Sequence, residues 1–320
     1  MEVLYIHLID CKTSVRKLSL YYDYLEPICF RLATRVMDWV SRHDAPSAEA
    51  NYLVRTSQRI LSHLNGGEQP EPKFDLEEIR PTLEYLKLID KYLEDFLSGK
   101  VTGSQVIKAG GVQLWEDWNR NNGTQNFFNE LVAGYVHPLI EDADVLEIGG
   151  GVGGTALLLA EDLKRAKTFC FSDIKPYFLE GIKKKLPKDL PLHTQILDLH
   201  NLPDIDQKFD VIYATNAIHV ANDIVAALRW IKSHLKETGT LVIGEGSPYS
   251  ADAPWPLEIM FAFFEGWWNV PTFDYRPHPG WLSPEKWLII FQKAGFKSLK
   301  IDLLMDERRY FGAAYVAENC

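Results

Sequence analysis

Two periodicities divide the chain. Over residues 21–40 and 79–97, apolar side chains recur every three or four positions, the spacing of helices with one buried stripe. Residues 65–72 between them carry paired glycines and two prolines and read as a loop. From residue 143 short apolar runs alternate with helical patterns. Strands are expected at 144–148, 167–172, 193–198, 209–214 and 239–244, with helices near 154–165, 176–186 and 222–236. A proline- and aromatic-rich stretch, 251–282, interrupts the alternation. A helix follows over 283–294, with Ser283 as N-cap, Pro284 in the first turn and Gly295 as its stop. Two last strands, 297–304 and 309–317, complete a count of seven. The pattern predicts an α/β fold with a doubly wound, mainly parallel, Rossmann-like sheet. Residues 1–142 form a helical subdomain that covers the core as a lid, and 143–320 form the core with 251–282 as an insertion.

Composition narrows the function. Apolar content of 46% and charged content of 24% are those of an ordinary soluble globular protein. Net charge is −10 without a dense basic stripe, which argues against a nucleic-acid substrate. The cysteines, Cys11, Cys29, Cys170 and Cys320, are scattered without metal or disulfide spacing, so reduced thiols and a cytoplasmic location are expected, with no metal site. No apolar run reaches the length of a membrane span, and 1–10 does not have the make-up of a signal peptide.

The most informative segment is 145–154, an apolar strand that ends in Glu147 and then in a run containing five glycines. Strand, glycine turn and helix build a nucleotide crevice at the carboxyl edge of a parallel sheet. Gly149, Gly151 and Gly154 satisfy G-x-G-x-x-G, and Asp173 lies where a dinucleotide site has its ribose-binding acid. Glu147, Gly149, Gly151 and Gly153 also satisfy E-x-G-x-G-x-G, which resembles the first motif of class I S-adenosylmethionine-dependent methyltransferases. The carboxylate separates the two. A pyrophosphate against this turn would be repelled by an acid two residues before the first glycine, whereas a sulfonium and an ammonium are attracted to it. S-adenosylmethionine, with S-adenosylhomocysteine as product, is the expected cofactor, and a nicotinamide oxidoreductase is the rival.

Further crevice residues follow from strand ends. Asp173 is placed to accept both ribose hydroxyls or to cap the next helix. Asp198 stands near the adenine amino group or simply forms a turn, and Leu199 beside it can pack on the ring. Asn216 borders the methionine moiety or only shapes its loop. His219 follows the fourth strand and Glu245 ends the fifth, so neighbouring strands bring the two together over the crevice. A carboxylate on Nδ1 fixes the imidazole tautomer and leaves Nε2 to take a proton, although a lone histidine is also a common core residue.

These segments resemble the C-methyltransferase domains of polyketide synthases. The likeness runs through 96–100, Phe127 and Asn129, Glu147 with its glycines, 214–224 and 235–245. It is sharpest in Glu265-Gly-Trp-Trp with Trp281-Leu-Ser-Pro-Glu-Lys-Trp. The resemblance implies that His219 and Glu245 act as the catalytic dyad. It also implies methylation of the α-carbon of a β-ketoacyl thioester on a phosphopantetheinylated acyl carrier protein, beside other synthase domains. Segments 106–115 and 269–281 depart from the family pattern, which touches substrate identity, and O-methylation by a related domain uses the same motifs. Most of the nine tryptophans fall in two places. There Trp115, Tyr135, Phe264, Trp267, Trp268 and Tyr275 are expected to line an acyl pocket, with core packing as their larger role.

Overall fold

The computed structural model describes residues 2–6, 12–44, 46–250, 253–276 and 279–319. Side chains are described from residue 15 onward, so Cys11, Cys320 and most of the start fall outside it. Eight strands form one sheet: β1 (Glu2–Ile6), β2 (Asp144–Ile148), β3 (Thr168–Asp173), β4 (Leu192–Ile196), β5 (Phe209–Thr215), β6 (Leu235–Gly246), β7 (Ser298–Met305) and β8 (Tyr310–Glu318). Their order is β1-β7-β8-β6-β5-β2-β3-β4, and β8 runs antiparallel to both neighbours while every other pair is parallel. All seven expected strands are present. β1 adds an eighth at the edge beside β7, in a segment where no strand was expected.

Chain order explains where a ligand fits. From β2 the chain winds outward through β3 to β4, then returns to β5 on the other side of β2. The loops after β2 and β5 therefore leave in opposite directions and open a crevice at the carboxyl edge.

Among the described residues, twelve helices cover this sheet and its insertion. In the N-terminal part they are α1 (Lys12–Val40), α2 (Asn51–His63), α3 (Arg80–Leu97), α4 (Gly103–Ala109), α5 (Gly111–Arg120) and α6 (Gly123–Val136). Then come α7 (Gly154–Leu158), α8 (Pro176–Lys185), α9 (Ile224–His234), α10 (Glu258–Phe261), α11 (Glu265–Trp268) and α12 (Pro284–Ala294). Ser283 precedes α12 in extended backbone, and Gly295 ends it in the left-handed region, as the sequence predicts.

Alternation along β2 shows how each face is filled. Leu146 and Ile148 join a core with α9 and α12, while Val145 joins one with Phe171, Tyr213, α7, α8 and Val132 and Val136 of α6. A third core unites α1, α2 and α3 with the insertion, through Trp255, Phe263, Trp267 and Trp281. Arg309 at the start of β8 ties α1 to the sheet. Its buried guanidinium meets Glu26 at 2.7 Å and Asp23 at 2.5 Å.

Candidate active site

Glu147 sits on β2 opposite Phe171 of β3 and Tyr213 of β5, and is 2% exposed. The Tyr213 hydroxyl donates to its Oε2 at 3.2 Å. Burial pushes the Glu147 carboxyl up to about 8, and the charge of Asp173 adds to the rise. On residue type alone Glu147 is a standing anion beneath the turn. The structure modifies that reading: near neutral pH this acid is largely protonated, and a cation arriving at the turn would draw the proton off.

The glycines of the turn do different things. Gly149 has φ +64°, and a Cβ there would lie 2.7 Å from the Cβ of Ala217, so the loop after β5 packs against bare backbone. Gly151 has φ +53° with open space where its Cβ would stand. Gly153, also left-handed, leads into α7. Residues that leave a bare concave backbone over a buried acid suit a cationic alkyl donor such as S-adenosylmethionine.

Asp173 is 6% exposed at the end of β3, and burial raises its pKa. Its Oδ2 accepts from the Gly151 N–H at 3.0 Å and its Oδ1 from the Lys175 N–H at 2.8 Å. It thus fastens the glycine turn to β3 and shapes the approach to α8, while each oxygen keeps a further acceptor position. β4 ends at Ile196, two residues earlier than expected, so Asp198 lies in the following loop. There its Oδ1 accepts from the His200 N–H at 2.8 Å, and Leu199 packs against the α9–α12 core.

Asn216 adopts φ +48°, unusual for a residue with a side chain. Its Oδ1 accepts from the Gly246 N–H at 2.9 Å, its Nδ2 donates to Gln125 Oε1 at 3.3 Å, and its own N–H donates to the Gly244 carbonyl at 2.8 Å. The amide therefore clamps the ends of β5 and β6 to α6.

His219 lies on a single 3-10 turn, Ile218–Val220, just beyond β5. Its Nδ1 is 2.5 Å from Oε2 of Glu245, which is fully buried on β6. The other oxygen, Oε1, accepts from the backbone N–H of Ile218 at 2.9 Å and of His219 at 3.3 Å. A carboxylate can only accept, so Nδ1 carries the hydrogen and Nε2 presents a lone pair. Two indoles wall the ring: Trp281 at 4.6 Å and Trp267 edge-on at 5.2 Å between centroids. At 5% exposure the imidazole is shielded from bulk water.

The insertion straps this turn in place. The Tyr275 hydroxyl donates to Asp223 Oδ1 at 3.0 Å, and the same oxygen caps α9 through the Ala226 N–H. Arg276, only 1% exposed, donates from Nη1 to the Ala221 carbonyl at 3.1 Å, two residues past His219. Sequence reasoning missed Arg276. The available signal was a single cation inside an aromatic segment. Trp281 entered that reading only as part of a motif, and Tyr213 only as a strand residue.

The expected pocket residues separate. Trp267 and Tyr275 belong to the surroundings of the dyad. Trp115 stacks with Trp118 and meets Phe264 at 5.5 Å, placing both in the aromatic core between α5 and the insertion. Trp268 packs on the same core. Tyr135 must be corrected: its hydroxyl bonds Asp302, and Lys300 lies 4.7 Å from its ring. Both partners are on β7, which β8 separates from β6, so Tyr135 does not face the dyad.

Comparison with known proteins agrees with this geometry. Residues 146–241 match the family described as a methyltransferase domain. The highly reducing polyketide synthase gloL of Glarea lozoyensis is 24% identical over 95% of the chain, and the polyketide synthase PksR of Bacillus subtilis is 25% identical over 78%. The chain spans only 12% and 10% of their respective lengths. Among solved structures, the DszA carbon methyltransferase superposes with a TM-score of 0.74 at 22% identity, covering 96% of this chain and 93% of that one. The trans-methyltransferase CalH, crystallised with S-adenosylhomocysteine, gives 0.69 at 19% identity, covering 95% and 91%. No helix among the described residues is long and apolar enough to cross a membrane. The methyltransferase match begins at the strand bearing Glu147, and the surrounding fold follows that of carbon methyltransferases over nearly its whole length: the chain carries a methyltransferase domain within a fold shared with them.

Proposed function

We propose that the protein methylates the α-carbon of a β-ketoacyl thioester presented on an acyl carrier protein, with His219 as general base and Glu245 as its orienting partner. The observation that carries this reading is the contact between His219 Nδ1 and Glu245 Oε2 at 2.5 Å, in a water-poor site walled by tryptophans. The dyad stands at the carboxyl ends of β5 and β6, beside the glycine turn of β2.

When bound, S-adenosylmethionine supplies a methyl group on a sulfonium and departs as neutral S-adenosylhomocysteine. Glu147, Gly149, Gly151 and Gly153 are the residues to hold its charged end, and Asp173 its ribose. Asp198 and Leu199 would border its adenine, and Asn216 would maintain the floor between the strands. His219 Nε2 removes the proton between the ketone and the thioester, where both carbonyls stabilise the carbanion that results. The carbon–methyl bond then forms as the sulfur–methyl bond breaks. The imidazolium, stabilised by Glu245, returns its proton to solvent. The protein contributes alignment and exclusion of water rather than a covalent intermediate.

The test is incubation with acetoacetyl-carrier protein and a methyl-labelled cofactor, read by intact-protein mass and product fragmentation. A gain of one methyl on carbon is expected. A methoxy product would replace this reading with O-methylation, and tight NAD binding without methyl transfer would overturn it.

A further inference from the structure

A cavity of about 490 Å³ lies between α2 and the insertion, lined by Tyr52, Arg55, Gln58, Arg59, Ser62 and Pro279, among others. Its size is that of a small-molecule site. Its inner end is aromatic. The hydroxyl of Tyr52 receives Trp267 Nε1 at 2.9 Å, and the Trp267 ring stands edge-on to His219. One indole therefore separates the cavity floor from the proposed base.

Its outer part is cationic. Arg55 and Arg59 lie one helical turn apart on α2, a helix whose thirteen residues include no acid, in a chain of net charge −10. Arg55 has no ion-pair partner among the described residues, and Arg59 has only a 3.8 Å approach to Glu258. Burial pushes Glu258 up to about 7, so it competes weakly for that guanidinium. Two guanidinium forks beside the Gln58 amide make a receptor for a tetrahedral oxyanion.

We propose that this cavity admits the phosphopantetheine arm of the substrate, with Arg55 and Arg59 binding its phosphate group and the Tyr52–Trp267 floor guiding the thioester toward His219. The inference rests on the carrier-borne substrate read above. It adds where the arm enters, on the helical subdomain rather than on the sheet, and which group anchors it.

The test compares one acetoacetyl thioester in three forms: on the carrier protein, on free phosphopantetheine, and on pantetheine, which lacks the phosphate. In the Arg55→Gln/Arg59→Gln variant, kcat/KM is expected to fall about 10- to 100-fold for the first two and to stay within about twofold for the third. Unchanged cofactor binding by calorimetry confirms that the variant is folded. Arg55→Gln alone, which leaves the Arg59–Glu258 approach intact, is expected to show the same selectivity at smaller amplitude. An equal loss on all three forms, or no loss on any, overturns the proposal. A loss confined to the carrier-bound form also overturns it and assigns the arginines to the carrier surface. Failure of the unaltered enzyme to methylate any thioester sinks the functional reading instead.

Discussion

Glu245 holds the His219 turn at three points, with Oε2 on the imidazole Nδ1 and Oε1 on two consecutive backbone N–H groups. One buried carboxylate thus sets both the tautomer of the base and the path of the chain that carries it. Replacing His219 with alanine removes the proton acceptor without touching the glycine turn. Turnover is expected to fall about 10²–10⁴-fold while cofactor affinity is retained. Glu245→Gln places an N–H donor where the ring needs an acceptor, and a loss of similar size is expected. Steady-state kinetics with calorimetry check both, and normal turnover in His219→Ala removes the proposed base.

Cofactor binding is expected to depend on pH through Glu147. Its carboxyl is pushed up to about 8, far above the ordinary 4.5. The native state therefore holds a proton that the unfolded chain has released, so this group's contribution to stability is present below pH 4.5 and is lost as pH rises toward 8. A bound cation favours the ionised form, so S-adenosylmethionine affinity should increase with pH up to about 8, with release of a proton. In Glu147→Gln the slope should vanish and affinity should drop about 10- to 100-fold. Calorimetry in buffers of different ionisation enthalpy reads the proton directly, and binding without proton release contradicts the assignment.

Two glycines of the same turn should respond differently to alanine. At Gly149 a methyl would meet Ala217 at 2.7 Å in a left-handed backbone, so the loop after β5 has to move and stability should fall by about 2 kcal/mol or more. At Gly151 there is room, and only the backbone penalty of about 1 kcal/mol is expected. That methyl would nevertheless stand in the open space proposed for the cofactor, so Gly151→Ala should lose affinity out of proportion to stability. Denaturant unfolding paired with binding measurements separates the two.

Arg276 is a buried cation whose Nε has no hydrogen-bond partner among the described residues. An apolar side chain of similar length removes that unpaired donor but leaves the buried Ala221 carbonyl without its partner, a cost of about 1 kcal/mol or a little more. Arg276→Met should therefore melt within a few degrees of the parent. Without its bond to the Ala221 carbonyl the His219 turn loosens, and kcat should fall about 10- to 100-fold. An unaltered kcat would show that the strap is dispensable.

The sequence determined the strand–helix alternation and the glycine turn, because each depends on local periodicity or on backbone that only glycine supplies. Pairing of His219 with Glu245 was legible too, since adjacent parallel strands leave their carboxyl ends side by side. Other features were decided only by tertiary packing. β1 becomes a strand because β7 offers it a parallel edge to pair with, and that edge is built by residues almost 300 positions away. Tyr135 turns to β7 because the Asp302 carboxylate is within reach of its hydroxyl. Glu147 is held neutral by depth of burial, which no residue type announces. Arg276 arrives at the base because the insertion folds back over β5, and contacts between segments so far apart in the chain leave no trace in either one alone.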